Sequence, residues 1–322
     1  ISISGYHMRE AGCNAIQGIV FTLADGIAYV EEVIKRGINI DEFASRLSFF
    51  FTTHNNFFEE IAKLRAARRL WAKIMKERFN AKNPDSLRLR FHTQTAGVTL
   101  TAQQPNVNII RVTVQALAAI LGGTQSLHTC GADEALSLPT EDSARISLRT
   151  QQVLASESGV TDVVDPLGGS YYIEYLTSRL EEKANEYIDK IDKMGGITVA
   201  IEKGFIQQEI SNNAYKEQLK IESGETNIIG VNAYFTDDEC KINTFKQDKD
   251  EELKIISNLN EFKLERDENI VKSALERLKE HANSNDNIIP ILIETVKSYA
   301  TIQEICDVLR DIYGEYKSPE VF

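Results

Sequence analysis

Histidine has the widest chemical range of any residue in this chain, and three of its five histidines stand beside other polar side chains in strand-like runs. Tyr6 and His7 follow ISISG, Arg46 and Ser48 open RLSFFF, His92 and Gln94 lie within LRFHTQT, and His128 and Thr129 end TQSLHT. An imidazole donates or accepts hydrogen bonds and exchanges a proton near neutral pH. A guanidinium suits phosphate or carboxylate. Polar groups recurring at the ends of four successive strands describe a ligand edge, because parallel α/β sheets gather their chemistry at the C-terminal ends of the strands. Each residue taken singly also has a plainer reading, that it satisfies backbone groups at a strand end, and this weighs most on His128.

Other chemistries find no motif. There is no G-x-S-x-G elbow, no H-E-x-x-H or similar metal spacing, no Walker Lys-Ser/Thr after Gly122–Gly123 and no G-x-G-x-x-G, so no metal site is expected. The cations Lys63, Arg65, Arg68, Arg69, Lys73, Lys76 and Arg78 read as a solvated helix face balanced by Glu59, Glu60 and Glu77 rather than as an anion site.

The elements that must position these residues alternate. Strands are expected at 1–5, 46–51, 89–95 and 124–129. Helices are expected at 10–36, 55–79, 108–121, 141–157, 174–193 and 196–220, with a turn-rich junction ending in PLGGSYY at 166–172. In the first of these helices, Ile16, Ile19, Val20, Leu23, Ile27, Val30 and Ile34 recur at three- and four-residue spacing, and Gly37 fits its stop. Asp41 is expected to cap a short turn. The alternation gives an α/β class with a parallel sheet and helical crossovers. About four strand–helix units are too few to close an eight-stranded barrel, and an unclosed sheet would leave two edges seeking partners. Composition shifts at 224–250, and two amphipathic helices at 251–282 and 289–313 form a tail. The chain opens on Ile1 inside an alternating run, without Met, so it is expected to begin within a structural element.

With 322 residues, a net charge of −12 and 42% hydrophobic residues, the chain has material for a sizeable core and lacks the basic footprint of a nucleic-acid binder. No apolar run approaches the roughly 20 residues of a bilayer span, so no membrane is expected. Cys13, Cys130, Cys240 and Cys306 lie far apart, which fits neither a disulfide framework nor a zinc motif and makes a reducing cytoplasm the simplest setting.

Longer segments carry more. ISISGYHMREAG, FTLADGI, RLSFFF, EEIAKLRAARRLWAKIM, LRFHTQTAGVTLTAQQP, GGTQSLHT, DEALSLPT, ESGVTDVVDPLGGSYYIE and GVNAYF together resemble the methylmalonyl-CoA mutase large-subunit family over about residues 1–235. The likeness is to the archaeal type, whose cobalamin-binding domain is a separate chain, and no D-x-H-x-x-G cobalamin-ligand motif occurs here. The resemblance implies the C-terminal part of a TIM-type (β/α)8 barrel at 1–235, a linker at 236–250 and a helical tail at 251–322. It implies adenosylcobalamin as cofactor, an acyl-CoA substrate, a separate cobalamin-binding subunit, and a missing N-terminal barrel portion, possibly on another chain.

The implied reaction is a radical 1,2-rearrangement in which the thioester group migrates, most commonly from methylmalonyl-CoA to succinyl-CoA. Isobutyryl-CoA and 2-hydroxyisobutyryl-CoA mutases share nearly all these residues, and a noncatalytic assembly subunit or inactive fragment is the alternative of another class. By position, His7 matches the residue that hydrogen-bonds the migrating thioester carbonyl, with Tyr6 beside it. Arg46 and Ser48 match coenzyme A contacts, and Glu10 the corrin face. His92, Gln94 and Gly97 match the loop beneath the corrin, and Glu134 and Ala135 the segment near the adenosyl group. Cys130, followed by Gly131, stands where the family usually has Asn, and a thiol is a weak hydrogen-bonding substitute for an amide.

Overall fold

In the computed structural model, residues 2–236 and 243–319 are described, and they fall into two units, one of residues up to Phe245 and one of Lys246–Ser318. The first unit is built on four parallel strands, β1 (Ser2–Ser4), β2 (Ser48–Thr53), β3 (Phe91–Thr95) and β4 (Ser126–His128), hydrogen-bonded in the order β1-β2-β3-β4. Its helices are α1 (Tyr6–Glu10), α2 (Ala15–Lys35), α3 (Ile40–Phe43), α4 (Phe57–Lys73), α5 (Val107–Leu121), α6 (Glu141–Ser156), α7 (Tyr171–Met194), α8 (Ile197–Glu202) and α9 (Phe205–Glu222). Strand followed by helix, with all strands parallel, makes this unit part of a TIM-type barrel, as the sequence pattern implies.

The register sorts the side chains. Ser2 pairs with Ser48, Ser4 with Phe50, Phe50 with His92, and His92 with Ser126, so these residues share one face. The opposite face carries Ile3, Phe49, Phe51 and Phe91, all buried in the main core with Phe21, Leu23, Leu64, Leu70 and Trp71 from α2 and α4. Phe49 meets Trp71 edge-on at 4.8 Å. One face of the sheet is thus an apolar seat for helices, and the other is left half-exposed and polar.

Several boundaries move from their expected places. The helix expected from residue 10 is two helices, because Asn14 caps α2, accepting from the Gln17 amide while the Gln17 side chain returns the bond. Asn39, not Asp41, caps α3, and the Asp41 carboxylate instead accepts from the Lys82 and Asn83 amides. β2 begins at Ser48 and runs to Thr53, so Arg46 lies before it in a 3-10 turn. The stretch 196–220 is broken at Gly204 into α8 and α9.

The basic face of α4 is the largest correction. Apart from exposed Lys76 and the same-helix Lys63–Glu60 pair, it is a tertiary clamp rather than a solvated face. Arg69 and Lys73 both pair with Glu181 of α7, Arg65 with Asp165 and Glu174, and Arg78 with Asp192 at 2.6 Å and Glu31 at 2.8 Å. Arg68 donates to the Gly122 carbonyl at 3.0 Å. Sequence spacing shows only partners on the same helix, and most of these partners lie roughly a hundred residues away.

Lys63 is buried, pairs with fully buried Glu60 and donates to the Thr52 carbonyl at the end of β2. Arg9 stands 3.6 Å from the same carboxylate. Burial opposes both charges, while Lys63 and Arg9 hold Glu60 ionised, with its carboxyl below the ordinary range.

In the second unit the two expected helices are four: α10 (Lys249–Glu265), α11 (Glu268–Ala282), α12 (Ile289–Lys297) and α13 (Ile302–Tyr313). Asp267 caps α11, and Thr301 with Glu304 forms a capping box on α13. Arg266, its side chain almost fully covered, pairs with Glu268 and Glu304, and its hydrogen bonds pull the Glu304 carboxyl down to about 2. Val271, Ala274, Leu278, Ala282, Ile291 and Ala300 are the buried apolar residues of this unit. No helix among the described residues is long and apolar enough to cross a membrane.

Two stability predictions follow from the buried charges. Lys63→Met strips Glu60 of its close partner and is expected to lower unfolding free energy by about 3–5 kcal/mol in urea, while Glu60→Leu combined with Lys63→Met recovers most of that loss. Asp25 on α2 has its carboxyl pushed up to about 6 by burial. An unfolded aspartate titrates near ~3.9, so this group favours folding only in its neutral form. Its contribution is complete below about pH 4 and lost as pH climbs through about 6. Asp25→Asn is therefore expected to exceed the parent by roughly 2 kcal/mol at pH 7 in denaturant melts, the two converging at acid pH.

Candidate active site

The site begins where β1 ends. Gly5 donates its amide to the Phe50 carbonyl at 2.8 Å, and a Cβ there would fall 1.9 Å from Thr22 Oγ1, so the chain passes α2 closely only as glycine. This turn starts α1 and sets Tyr6 flat on the Phe50 ring at 4.9 Å, with His7 edge-on to Tyr6 at 5.6 Å. Phe50 in turn meets His92 at 5.0 Å, and His92 Nδ1 lies 2.8 Å from Ser126 Oγ. A continuous row of rings therefore crosses the polar face from α1 over β2 to β3, where His92 meets Ser126 of β4. Burial and the neighbouring His128 lower the His92 pKa, which favours its neutral form.

Gln94 ties the next layer together. Its side-chain amide donates to Tyr6 Oη at 2.9 Å and to Cys130 Sγ at 3.5 Å. Burial, and then the charge of Glu10, raise the Tyr6 pKa well above the phenol range, so Tyr6 stays protonated. Glu10 accepts from the Val98 amide at 2.6 Å through Oε2, while its buried Oε1 has no partner. Burial raises its pKa against the pull of the Val98 and Gly97 amides. Gly97 makes room for this pair, because a Cβ there would lie 2.9 Å from Glu10 Oε2 and 3.2 Å from Tyr6 Oη.

After β4 the chain folds back over the same edge. The Cys130 amide donates to Thr95 Oγ1 at 2.9 Å, and its thiol donates to the Thr95 carbonyl at 3.2 Å. Burial pushes this thiol up to about 11, so it is neither a thiolate nor a ready nucleophile. Glu134 closes a turn by accepting the Gly131 amide, and Asp133 secures the loop by accepting from the Thr140 amide and hydroxyl, each at 2.9 Å. Ala135 is exposed on the same turn.

Tyr6, Glu10, Gln94, Gly97, Cys130 and Glu134 thus converge at one edge, with His7 exposed beside them. Arg46 and Ser48 do not join that cluster. They lie at the N-terminal end of β2, so they bound the polar face from the other end. Arg46 is exposed and makes no ion pair among the described residues. A strand of this length separates the two ends by on the order of 15 Å. Such a face suits a long ligand laid along the strands, with an anion-binding group at one end and hydrogen-bond donors at the other.

Sequence reading missed His54 and Arg9. His54 follows the last residue of β2, and burial and then the Arg9 charge push its pKa down to about 4, leaving it neutral. Extending the second strand to Thr53 would have placed it on the same edge.

A family model described as methylmalonyl-CoA mutase matches residues 1–315. The chain belongs to the methylmalonyl-CoA mutase family. It is 49% identical over its whole length to the 2-hydroxyisobutanoyl-CoA mutase large subunit of Aquincola tertiaricarbonis, covering 58% of that protein. It is 45% identical to methylmalonyl-CoA mutase of Rhizobium meliloti over all of this chain and 45% of that one, and 44% identical to the mitochondrial human enzyme over 99% of this chain and 43% of that one. The chain therefore spans about half the length of the curated relatives it matches. Its four parallel strands and the edge just described fall within the matched residues.

Gly97→Ala tests the packing of that edge. The added methyl is expected to push the Glu10 carboxylate off the Val98 amide, speeding hydrogen exchange at Val98 about tenfold while changing global stability by no more than about 1 kcal/mol.

Proposed function

We propose that this chain is the part of an adenosylcobalamin-dependent acyl-CoA mutase that carries the thioester-binding histidine and the lower cofactor-facing edge, acting on methylmalonyl-CoA to give succinyl-CoA. The observation that carries the reading is the convergence of Tyr6, Glu10, Gln94 and Glu134 beside exposed His7 in a chain of this family.

The residues present fit the cofactor. Glu10 keeps a buried oxygen without a partner, Gly97 adds no side chain against its carboxylate, and the half-exposed Glu134 can accept from ribose hydroxyls. Gln94, His92 and Ala135 would complete the surface beneath the cofactor, and Cys130 stands where a more capable amide is usual. When bound, adenosylcobalamin would supply the radical that initiates a carbon-skeleton rearrangement.

This chain's own residues would bind and orient the acyl-CoA. Ser4 Oγ lies 3.2 Å from His7 Nδ1. With Nδ1 accepting from that hydroxyl, Nε2–H is left as the donor toward a thioester carbonyl, where it would stabilise charge gathering on oxygen. Tyr6, held protonated and stacked on Phe50, walls the same spot and excludes water. Arg46 and Ser48 at the far end would receive the coenzyme A portion, a guanidinium matching its phosphates. Among the described residues, the outer edges of β1 and β4 pair with no further strand, and a remaining barrel portion and a cobalamin-binding subunit are the proposed partners there.

A second reading, 2-hydroxyisobutanoyl-CoA as substrate, is favoured by the 49% identity to that mutase's large subunit. The test assembles the chain with the remaining barrel portion and a cobalamin-binding chain, then supplies adenosylcobalamin with each acyl-CoA in turn. Succinyl-CoA is the expected product, and His7→Ala is expected to lower kcat by roughly 10²–10⁴-fold. Undiminished turnover in His7→Ala would remove the proposed role. Turnover of 2-hydroxyisobutanoyl-CoA alone would select the second reading.

A further inference from the structure

Three side chains at the cofactor-facing edge have donor atoms of different kinds gathered at one point. An imidazole nitrogen of His128, the Cys130 sulfur and a Glu134 carboxylate oxygen all lie within 4.8 Å of one another. We propose that this trio is a divalent-cation site of the zinc class, with solvent as the fourth ligand.

The donor set is the first argument. Imidazole nitrogen, thiolate sulfur and carboxylate oxygen are the three ligand types zinc accepts, and the soft sulfur disfavours magnesium or calcium. Three protein ligands with one open position are the arrangement zinc adopts when it keeps a water. The sequence hides the trio, because H-x-C-x-x-x-E matches no familiar spacing. It forms because β4 ends at His128 and the Gly131–Glu134 turn, closed by the Glu134 amide donating to the Gly131 carbonyl at 3.2 Å, brings the carboxylate back.

The geometry is the second. Metal–ligand bonds of about 2.0–2.3 Å in a tetrahedron place donor atoms roughly 3.3–3.8 Å apart. Closing from 4.8 Å takes about an ångström of movement. His128 is exposed and Glu134 half-exposed, so rotamer changes of these two can supply it while buried Cys130 stays fixed. The open side at His128 also provides the entry path and the fourth position.

The surroundings are the third. Gln94 already donates toward Cys130 Sγ at 3.5 Å, a bond that favours a thiolate. Coordination would cost the thiol's own donation to the Thr95 carbonyl, because the metal–sulfur bond forms as the S–H proton leaves to solvent. Because Cys130 and Glu134 are cofactor-facing in the reading above, cation and adenosyl group would compete for them. That consequence rests on the proposed function, whereas the site itself does not.

The experiment is a cobalt(II) titration of the full chain carrying Cys240→Ser and Cys306→Ser, without cofactor or acyl-CoA, followed by zinc displacement. The expected result is one equivalent bound, with intense tetrahedral d–d bands and a near-ultraviolet thiolate-to-cobalt band, both lost on adding zinc. Cys130→Ser is expected to abolish the thiolate band, and His128→Ala to weaken binding at least about tenfold. His128 is exposed, so that variant keeps its fold, and far-ultraviolet circular dichroism checks it for both. Absence of a thiolate band in the parent, or a band that survives in Cys130→Ser, would overturn the site. Neither outcome bears on acyl-CoA turnover, so failure here and failure of the mutase reading are separable.

Discussion

The central strand β2 is the constraint on which the first unit depends. Its period-two alternation sends Phe49 and Phe51 into the core beside Trp71, and Ser48 and Phe50 to the other face. A slip of one residue would exchange these faces. It would drive a serine into the apolar seat and remove the ring on which Tyr6 stacks. The hydrogen bond from Gly5 to the Phe50 carbonyl ties β1 to this register, and the pairing of Phe50 with His92 carries it to β3. Helix packing and site geometry are therefore one decision, taken at β2.

The charges serve the same end from outside. α4 packs between the sheet and α7, and its cations are fixed by acidic groups of α7 and of the loop before it. Several of these pairs are partly exposed and contribute modestly to stability, but their number and directions hold one helix at one rotation relative to the other. At the inner end, Lys63 reaches from α4 to the carbonyl of Thr52 and joins the helix to the strand just below the site. His54 sits immediately above that junction and is kept neutral, so the positive charge there resides on Lys63 and Arg9 and offsets Glu60.

Much of this was legible in the chain. Alternating strand and helix patterns located all four strands within a few residues, and the motif segments named the residues that meet at the edge. What escaped detection depended on long-range contact. The cations of α4 and of the turn after it carry no mark of burial in the sequence, because their partners, Glu174, Glu181 and Asp192, lie far along the chain. The run RLSFFF gives no sign of where pairing begins, so the pattern includes Arg46 in the strand, whereas the structure starts the ladder at Ser48. In the second unit amphipathic periodicity continues across the helix breaks, so the pattern shows two helices where the caps at Asp267 and Thr301 make four.

The separation of Arg46 from His7 gives the site its direction. One end of the polar face carries an exposed guanidinium, and the other carries an imidazole, a phenol and an amide that are all hydrogen-bond donors. Between them run Phe50 and His92, whose rings offer contact area but no full charge at neutral pH, since burial holds His92 below its ordinary range. A ligand with charge at one end only is therefore favoured in a single orientation, its anionic end toward the N-terminal ends of the strands. The reverse orientation would set that anionic end against Glu10 and Glu134 at an edge where burial already opposes the Glu10 charge. For such a ligand, orientation would follow from the placement of charge at the two ends of β2, with its uncharged end toward the edge where the donors converge.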